Sequence, residues 1–362
     1  MPFEIDFLPV DNGEVPGDAV VLRYGSSAQQ KIIVYDAGTE TTGDALVKHI
    51  RQFFNINHID HLVSSHPDPH NTPGLINLLQ QMDVGTLWMH RPWLYDSVIR
   101  DYFELGICAQ PGLAETLEFK FRLNYELEQL AHEKQVPIKE PFRGQWIGNF
   151  HVLSPAKDWY VHELIDQLSL PVASPNHLTR FLRCLRRTAK RAVAWVAEHW
   201  DHEYLPESGQ TSAENESSVV LYGNLEDYHY GLLLTGHAGV EALHRAADYL
   251  EQLNMSAEKR IQFIQMPHYG ALEHVSTPLL NRLLGTPLAH EPEQKHKVAF
   301  ISSAKSGRYP HASVVNALLR RGVKVVSTEG KTKRHQKNAV IPTNWQVSPV
   351  LTFSERVEKT EL

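Results

Sequence analysis

Cysteine is scarce in this sequence. Two cysteines, Cys108 and Cys184, occur among 362 residues. So few thiols, far apart and in different segments, exclude a disulfide framework and a cysteine-based zinc site. The chain therefore has to fold around an ordinary apolar core, for which its 42% hydrophobic residues are ample.

An excess of positive charge is also lacking. The formal net charge is −7, with 35 Lys and Arg against 42 Asp and Glu. Any contact with nucleic acid must therefore use a local basic patch rather than the charge of the whole molecule.

Long apolar runs are missing as well. No uncharged apolar stretch reaches the length of a membrane span, and the first residues, 1–6, lack the basic and apolar regions of a signal peptide. We therefore expect a cytoplasmic protein that does not associate with membranes.

Histidine, in contrast, is abundant, with 21 residues. The most informative cluster lies in segment 64–71, SSHPDPHN, directly after a predicted strand. His66, Asp68 and His70 alternate along a turn that two prolines stiffen. Imidazole and carboxylate groups on such a turn can bind a divalent metal. The alternative is a polar strand-to-helix loop that contains histidines by chance.

Apolar periodicity predicts alternating strands and helices, which is typical of layered α/β proteins. The predicted strands are 3–10, 18–24, 31–35, 59–63, 85–89, 145–153, 218–222, 230–234, 261–265, 298–302 and 324–327. The predicted helices are 43–54, 73–82 (capped by Thr72), 95–132, 158–168, 176–200, 240–253 and 312–320. We interpret residues 1–362 as a single domain, with a helical insertion at about 95–210.

Four predicted strands end in residues of the type that bind metals or support metal sites. These strand ends contain Asp36, segment 66–71, His237 and His268. In layered α/β folds, strand ends meet at one edge of a sheet, where ligands bind. Four such ends are stronger evidence for a metal site than any one of them.

The order of the motifs resembles that of the metallo-β-lactamase-fold hydrolases. These motifs are DAG at 36–38, SHPDPHNTPGL at 65–75, LLLTGHAG at 232–239 and PHYG at 267–270. The resemblance is greatest to the branch that contains the metallo-hydrolase domains of bacterial DNA-uptake (competence) proteins. It covers about 3–93 and 142–330. It implies an αββα sandwich, with two sheets face to face, helices outside and the site at one edge.

The same resemblance implies roles for individual residues. It makes His66, Asp68 and His268 metal ligands, and it makes Asp36 a residue that supports the site. Three positions depart from the family pattern: His70 replaces an aspartate, Asn71 replaces a histidine, and His237 replaces a bridging aspartate.

These departures affect the expected number of metal ions. His66, Asp68, His70, His237 and His268 still offer enough donors for a single zinc or manganese ion, with Asn71 as a supporting residue. A two-metal site needs more carboxylate, so we favour one ion over two. A site that binds no metal is the alternative.

Two residues are candidates for catalysis. Asp68 is either a ligand or a general base. Tyr269 either donates a proton to a leaving oxygen or fills the space of a lost ligand. His274 and His311 lie near the motifs and are candidate substrate contacts, whereas we interpret His90 and His151 as hydrogen-bonded structural histidines.

The predicted helix 176–200 carries regularly spaced cations. Arg183, Arg187 and Lys190 share one side of it and could contact a phosphate backbone. The alternative is a solvated face of an insertion helix.

Three functions agree with these features. The preferred one is metal-dependent hydrolysis of a phosphodiester bond, with nucleic acid as a possible substrate. The second is a catalytically degenerate protein of the same fold that binds or regulates a protein partner, because a fold does not determine a function. The third is hydrolysis of a small ester or lactam.

Overall fold

The computed structural model describes residues 1–10, 16–26, 29–95, 113–169, 195–225, 230–305, 308–339 and 348–358. The strands of these ranges are β1 (Phe3–Phe7), β2 (Ala19–Tyr24), β3 (Lys31–Ala37), β4 (His58–Val63), β5 (Asp83–Trp88), β6 (Ile138–Lys139), β7 (Trp146–Ile147), β8 (Phe150–Ser154), β9 (Trp195–Ala197), β10 (Val220–Asn224), β11 (Gly231–Leu234), β12 (Ile261–Gln265), β13 (Lys297–Ile301), β14 (Val323–Ser327), β15 (Lys333–Lys337) and β16 (Arg356–Glu358).

Most of these strands belong to two seven-stranded sheets. The first sheet has the order β15-β1-β2-β3-β4-β5-β6, and the second has the order β14-β13-β12-β11-β10-β8-β7. Strands β3, β4, β5 and β6 are parallel neighbours in the first sheet, as are β11, β12, β13 and β14 in the second. The carboxyl ends of neighbouring parallel strands lie at the same edge of a sheet, which is where the candidate site residues follow the strands.

The two sheets pack face to face. The Phe7 ring of the first sheet lies 6.1 Å from Phe263 and 5.3 Å from Phe300 of the second. Along β3, Ile33 joins this inter-sheet core, whereas Val34 joins the core on the opposite face. Strand residues alternate between the two faces of a sheet, so a strand buried on both faces needs an unbroken apolar run.

Helices cover the outer faces. They are Glu40–His49 with a π-helical continuation over Ile50–Phe54, Thr72–Gln81, Leu113–Lys120, Arg122–Glu133, Lys157–Trp159 with its continuations Tyr160–Leu164 and Ile165–Ser169, Ala213–Glu216, Val240–Gln252, Ala257–Arg260, Thr277–Leu284 and Ala312–Arg320, and there are short 3₁₀ segments at Pro92–Tyr95, Pro267–Gly270 and Leu272–His274. Leu46 and Leu78 of two of these helices pack in the same cluster as Val34 of the first sheet. Leu318 packs with Val325 of the second sheet in that cluster. The αββα sandwich predicted from the sequence is confirmed.

Several local predictions differ from the structure. The range 95–210 contains helices, but it also contributes β6, β7 and β8 to the two main sheets. The helix predicted to begin at Pro73 begins one residue earlier, at Thr72. Asn71 is therefore the cap residue, and the Thr72 hydroxyl donates to the Asp68 carbonyl. Strands β15 and β16 were not predicted.

The predicted helix 176–200 does not extend to its expected end. Residues 195–197 form β9, which pairs with β16. The backbone after β9 is held by the buried Arg320, which donates to the carbonyls of His199 and Trp200 at 2.6 and 2.8 Å and to Glu198 at 2.8 Å. The remainder of the predicted helix, with Arg183, Arg187 and Lys190, lies outside the described residues. In the described ranges, no helix has the length and apolar character that crossing a bilayer requires.

Candidate metal centre

Three predicted ligands meet between the carboxyl ends of the two sheets. His66 and Asp68 follow β4 of the first sheet, and His237 follows β11 of the second. One donor atom from each of the three lies within 4.8 Å of the others. The two imidazoles are buried, and the Asp68 side chain is 16% exposed, so the group opens toward solvent on the side of Asp68.

The spacing of these donors suits a tetrahedral metal ion. Asp68 Oδ2 lies 3.3 Å from His66 Nε2 and 3.4 Å from His237 Nδ1. Ligands about 2.0–2.1 Å from a tetrahedral zinc ion lie about 3.3 Å from one another. Asp68 Oδ2 thus already has the separation of a zinc ligand from both imidazoles, and one donor atom of each side chain lies within 4.8 Å of the others.

The donor atoms also lack hydrogen-bond partners. His66 Nε2 and both ring nitrogens of His237 are buried without one. Buried polar atoms in folded proteins are almost always paired, so such a group requires an explanation. A cation bound by His66 Nε2 and one nitrogen of His237 explains two of these three atoms, and two imidazoles with one carboxylate are a donor set suited to zinc.

A relay from Asp36 orients His66. The Asp36 carboxylate accepts hydrogen bonds from the Ser65 backbone N–H at 2.8 Å and from the Ser65 hydroxyl at 2.5 Å. Since that hydroxyl has one proton, its oxygen accepts from His66 Nδ1, which is 2.7 Å away. His66 therefore carries its proton on Nδ1 and directs the lone pair of Nε2 toward Asp68. Asp36 is thus linked to His66 through Ser65, a residue to which the sequence analysis assigned no role.

The protonation states of these residues determine whether protons compete with a metal ion for the ligand atoms. Burial raises the pKa of Asp36 to about 6, against the opposing effects of His66 and Ser65. Burial also tends to raise the pKa of Asp68, but its contacts with His66 and with the His70 N–H outweigh burial and leave that pKa below its ordinary value. Burial opposes protonation of His66, yet the Asp68 carboxylate raises the pKa of this imidazole. A proton thus competes with a cation for His66 Nε2.

His70 and Asn71 contribute through other atoms than predicted. The His70 side chain is exposed, and it is the His70 backbone N–H that donates to Asp68 Oδ1, at 2.6 Å. The buried Asn71 uses its side-chain oxygen to accept from the Asp18 backbone N–H at 3.1 Å. In this structure, His70 fixes the Asp68 carboxylate and Asn71 fixes Asp18.

Asp18 is a buried carboxylate that the sequence analysis did not identify. Its Oδ1 accepts from the Ser302 hydroxyl at 2.5 Å, and its Oδ2 lies 3.4 Å from His237 Nε2. Burial raises the pKa of Asp18 to about 7, although the Ser302 hydrogen bond lowers it. Its position just before β2 gave no motif, so only the packing of distant segments could reveal it.

His268 adjoins the three-donor group. Its ring centre lies 4.5 Å from that of His237 and 4.2 Å from that of His274. Burial, with His274 nearby, lowers the pKa of His268 to about 3, and burial lowers the pKa of His274 to about 4. His268 is thus a neutral imidazole beside the centre, with Nδ1 3.4 Å from the Asn215 amide.

The turn that carries His268 is strained. His268 and Tyr269 both have left-handed backbone conformations, with φ of 43° and 62°. Such conformations are unfavourable for residues other than glycine and often occur at functional sites. The turn places the buried Tyr269 ring edge-on to His237, with ring centres 4.7 Å apart. Burial and nearby Asp18 and Asp68 raise the pKa of Tyr269 well above its ordinary value, so its hydroxyl keeps its proton.

Other predicted histidines have different surroundings. His311 accepts a hydrogen bond from the Leu272 N–H at 3.1 Å. His90, expected to be hydrogen-bonded, is buried with neither ring nitrogen paired and stacks on Tyr160 at 4.6 Å between ring centres. His151 stacks on the exposed Trp146 with ring centres 4.5 Å apart.

No protein-family model matches the chain, and no curated protein matches it. Solved structures with similarity to the chain include MEM-A1, a subclass B3 metallo-β-lactamase from a soil metagenome library (12% identity over 78% of this chain and 83% of that chain, TM-score 0.31). Others are a metallo-β-lactamase from Erythrobacter litoralis (11% identity, 78% and 90%, TM-score 0.32) and AidC, a dizinc quorum-quenching lactonase (12% identity, 68% and 71%, TM-score 0.31). At these identities and TM-scores, the similarities do not determine the activity of the chain.

Proposed function

We propose that this chain is a metal-dependent hydrolase with one divalent metal ion held by His66, Asp68 and His237. The observation that carries the proposal is the separation of 3.3 and 3.4 Å between Asp68 Oδ2 and two buried imidazole nitrogens that have no hydrogen-bond partner. Imidazole-rich sites of this type suit zinc, and manganese is the alternative ion.

A bound ion would supply Lewis-acid activation of water and of the scissile bond. The residues of the chain supply the rest. The Ser65 hydroxyl orients His66, and the His70 N–H holds one Asp68 oxygen so that the other faces the imidazoles. Tyr269 retains its proton at neutral pH, so its hydroxyl can donate a hydrogen bond to a leaving oxygen, but its raised pKa does not favour transfer of the proton. Asp68 acts as a ligand in this proposal rather than as a general base.

We propose a phosphodiester as the substrate because of the sequence resemblance to DNA-uptake proteins. Arg183, Arg187 and Lys190 support a nucleic-acid substrate as a cationic row in the sequence. Reversing these three charges should weaken DNA binding and reduce the slope of log K against log salt by about one for each lost phosphate contact. Reversal of three exposed lysines among the described residues, Lys48, Lys134 and Lys259, is the matched control. Equal effects of the two triple variants would contradict a specific role of the row.

Metal content decides between an enzyme and a scaffold. Protein expressed with added zinc or manganese should contain about one equivalent of metal and should hydrolyse a phosphodiester such as bis(p-nitrophenyl) phosphate. His66→Ala combined with His237→Ala should lose both properties, whereas His296→Ala, which changes an exposed histidine, should retain them. Less than about a tenth of an equivalent in the wild-type protein would refute the metal-dependent hydrolase.

The second candidate is a catalytically degenerate protein that binds a protein partner. It is favoured by Asn71, which occupies a ligand position of the resembled family but is bound to the Asp18 backbone. A wild-type protein without metal would support this candidate. Hydrolysis of p-nitrophenyl acetate or a lactam, with no phosphodiester turnover, would instead support an esterase or lactamase.

A further inference from the structure

The two nitrogens of His237 face two different carboxylates. Nδ1 lies 3.4 Å from Asp68 Oδ2, and Nε2 lies 3.4 Å from Asp18 Oδ2. Both nitrogens are buried without a hydrogen-bond partner, and so is Asp18 Oδ2. Asp18 therefore faces a different ring nitrogen from the one beside Asp68, where the proposed ion would lie.

A neutral imidazole has one N–H and one lone pair, so His237 can donate a hydrogen bond to only one of the two carboxylates. If the proton is on Nδ1, it points toward Asp68 and removes a ligand atom from the centre. If the proton is on Nε2, it points toward Asp18, and Nδ1 offers its lone pair beside Asp68 and His66. Only the second tautomer is compatible with metal binding through Nδ1.

The Asp18 carboxylate is held in a fixed orientation. The Ser302 hydroxyl donates to Oδ1 at 2.5 Å, and the Asn71 side chain accepts from the Asp18 backbone N–H at 3.1 Å. These contacts come from segments of both sheets. They engage Oδ1 and the backbone N–H of Asp18. Oδ2 faces His237 Nε2, and the Gln265 side chain also lies beside the Asp18 carboxyl.

We infer that Asp18 is a positioning residue that fixes His237 in the Nε2–H tautomer and so presents Nδ1 to the metal ion. This inference rests on the proposed one-metal centre. Carboxylates that accept a hydrogen bond from a ligating histidine orient the ring and increase its affinity for the metal, and their loss typically lowers metal affinity 10- to 100-fold.

The test compares two buried aspartates that each face a histidine. Zinc affinity is measured by competition with a chromogenic chelator for the wild type, Asp18→Asn and Asp6→Asn. Asp6 lies 2.7 Å from His49 Nε2, away from the centre, so Asp6→Asn controls for the loss of a buried Asp–His pair. We expect zinc affinity to fall about 10- to 100-fold in Asp18→Asn only. Equal affinities of Asp18→Asn and the wild type would overturn the inference and leave the metal centre intact.

A measurement on the wild-type protein keeps the inference testable even if Asp18→Asn does not fold. Long-range ¹H–¹⁵N NMR spectra distinguish the two tautomers of a histidine. In the zinc-loaded protein, His237 should carry its proton on Nε2. A proton on Nδ1 would overturn the role of Asp18. A wild-type protein that binds no zinc would overturn the proposed function and, with it, this inference.

Discussion

The Ser65 hydroxyl lies 2.5 Å from Asp36 Oδ2 and 2.7 Å from His66 Nδ1. One small side chain thus links a buried carboxylate to the first candidate ligand by hydrogen bonds. We expect Ser65→Ala to lower zinc affinity about 10- to 100-fold, because His66 would no longer be held with its proton on Nδ1. The measurement is chelator competition. Ser313→Ala removes another buried hydroxyl, one without a partner, and should leave the affinity unchanged. A similar loss in both variants would show that the relay has no specific role.

The same relay predicts a pH dependence of metal binding. Burial raises the pKa of Asp36 to about 6. Above this pH the carboxylate accepts the Ser65 proton. Below it, protonated Asp36 donates to Ser65 instead, Ser65 then donates to His66 Nδ1, and the imidazole proton moves to Nε2. We therefore expect zinc affinity to fall as the pH decreases through about 6, beyond the trend of the competing chelator. Protonation of His66 itself also lowers zinc affinity at acid pH, so the relay is tested by the difference between the proteins. Asp36→Asn should bind zinc weakly and show a smaller step, and an equal step in that variant would contradict the relay.

Gly236 should tolerate no side chain. Its φ is +53°, and an added Cβ would lie 2.8 Å from both Ser65 Oγ and Tyr35 Oη. Gly322 has a similar φ of +68°, but its nearest contacts would be 3.4 Å or longer. Gly322→Ala should therefore cost about 1 kcal/mol from backbone strain alone. Gly236→Ala should cost at least about 1 kcal/mol more and should lower zinc affinity. Urea unfolding and chelator competition provide the two measurements, and equal costs would contradict the close contact.

His90 should make the fold sensitive to acid. Burial lowers its pKa from 6.5 to about 3. As the pH falls below 6.5, the unfolded chain takes up a proton that the folded chain does not, so stability decreases until the pH reaches about 3. Between pH 7 and pH 5 this loss is about 2 kcal/mol. His90→Phe keeps the aromatic stacking and should reduce the pH dependence of urea unfolding by about that amount. His296→Phe is the exposed control. An unchanged pH dependence in His90→Phe would contradict the assignment to His90.

The sequence predicted those features that follow from local patterns. Apolar runs that end in His or Asp predicted a layered α/β fold with a site at a sheet edge, and the family resemblance implied the two sheets. Together they placed His66, Asp68 and His237 at that edge. Asp18 could not be found in this way, because its partner Ser302 is 284 positions away and neither belongs to a motif. The exposure of the His70 side chain could not be predicted either, because its residue type indicated a ligand, whereas the group that contacts Asp68 is its backbone N–H. Similarly, β9 is a three-residue strand beside the contacts of Arg320, and propensity alone gave a helix there.

The candidate ligands come from both sheets, with His66 and Asp68 on the first and His237 on the second. A metal ion bound by all three would be a cross-link between the halves of the sandwich. An ion present at about 1,000 times its dissociation constant stabilises the folded state by about 4 kcal/mol. Separation of the sheets would first have to break bonds to this ion, so the ion would lengthen the lifetime of the folded protein. The metal centre would thus slow unfolding in addition to its proposed role in hydrolysis.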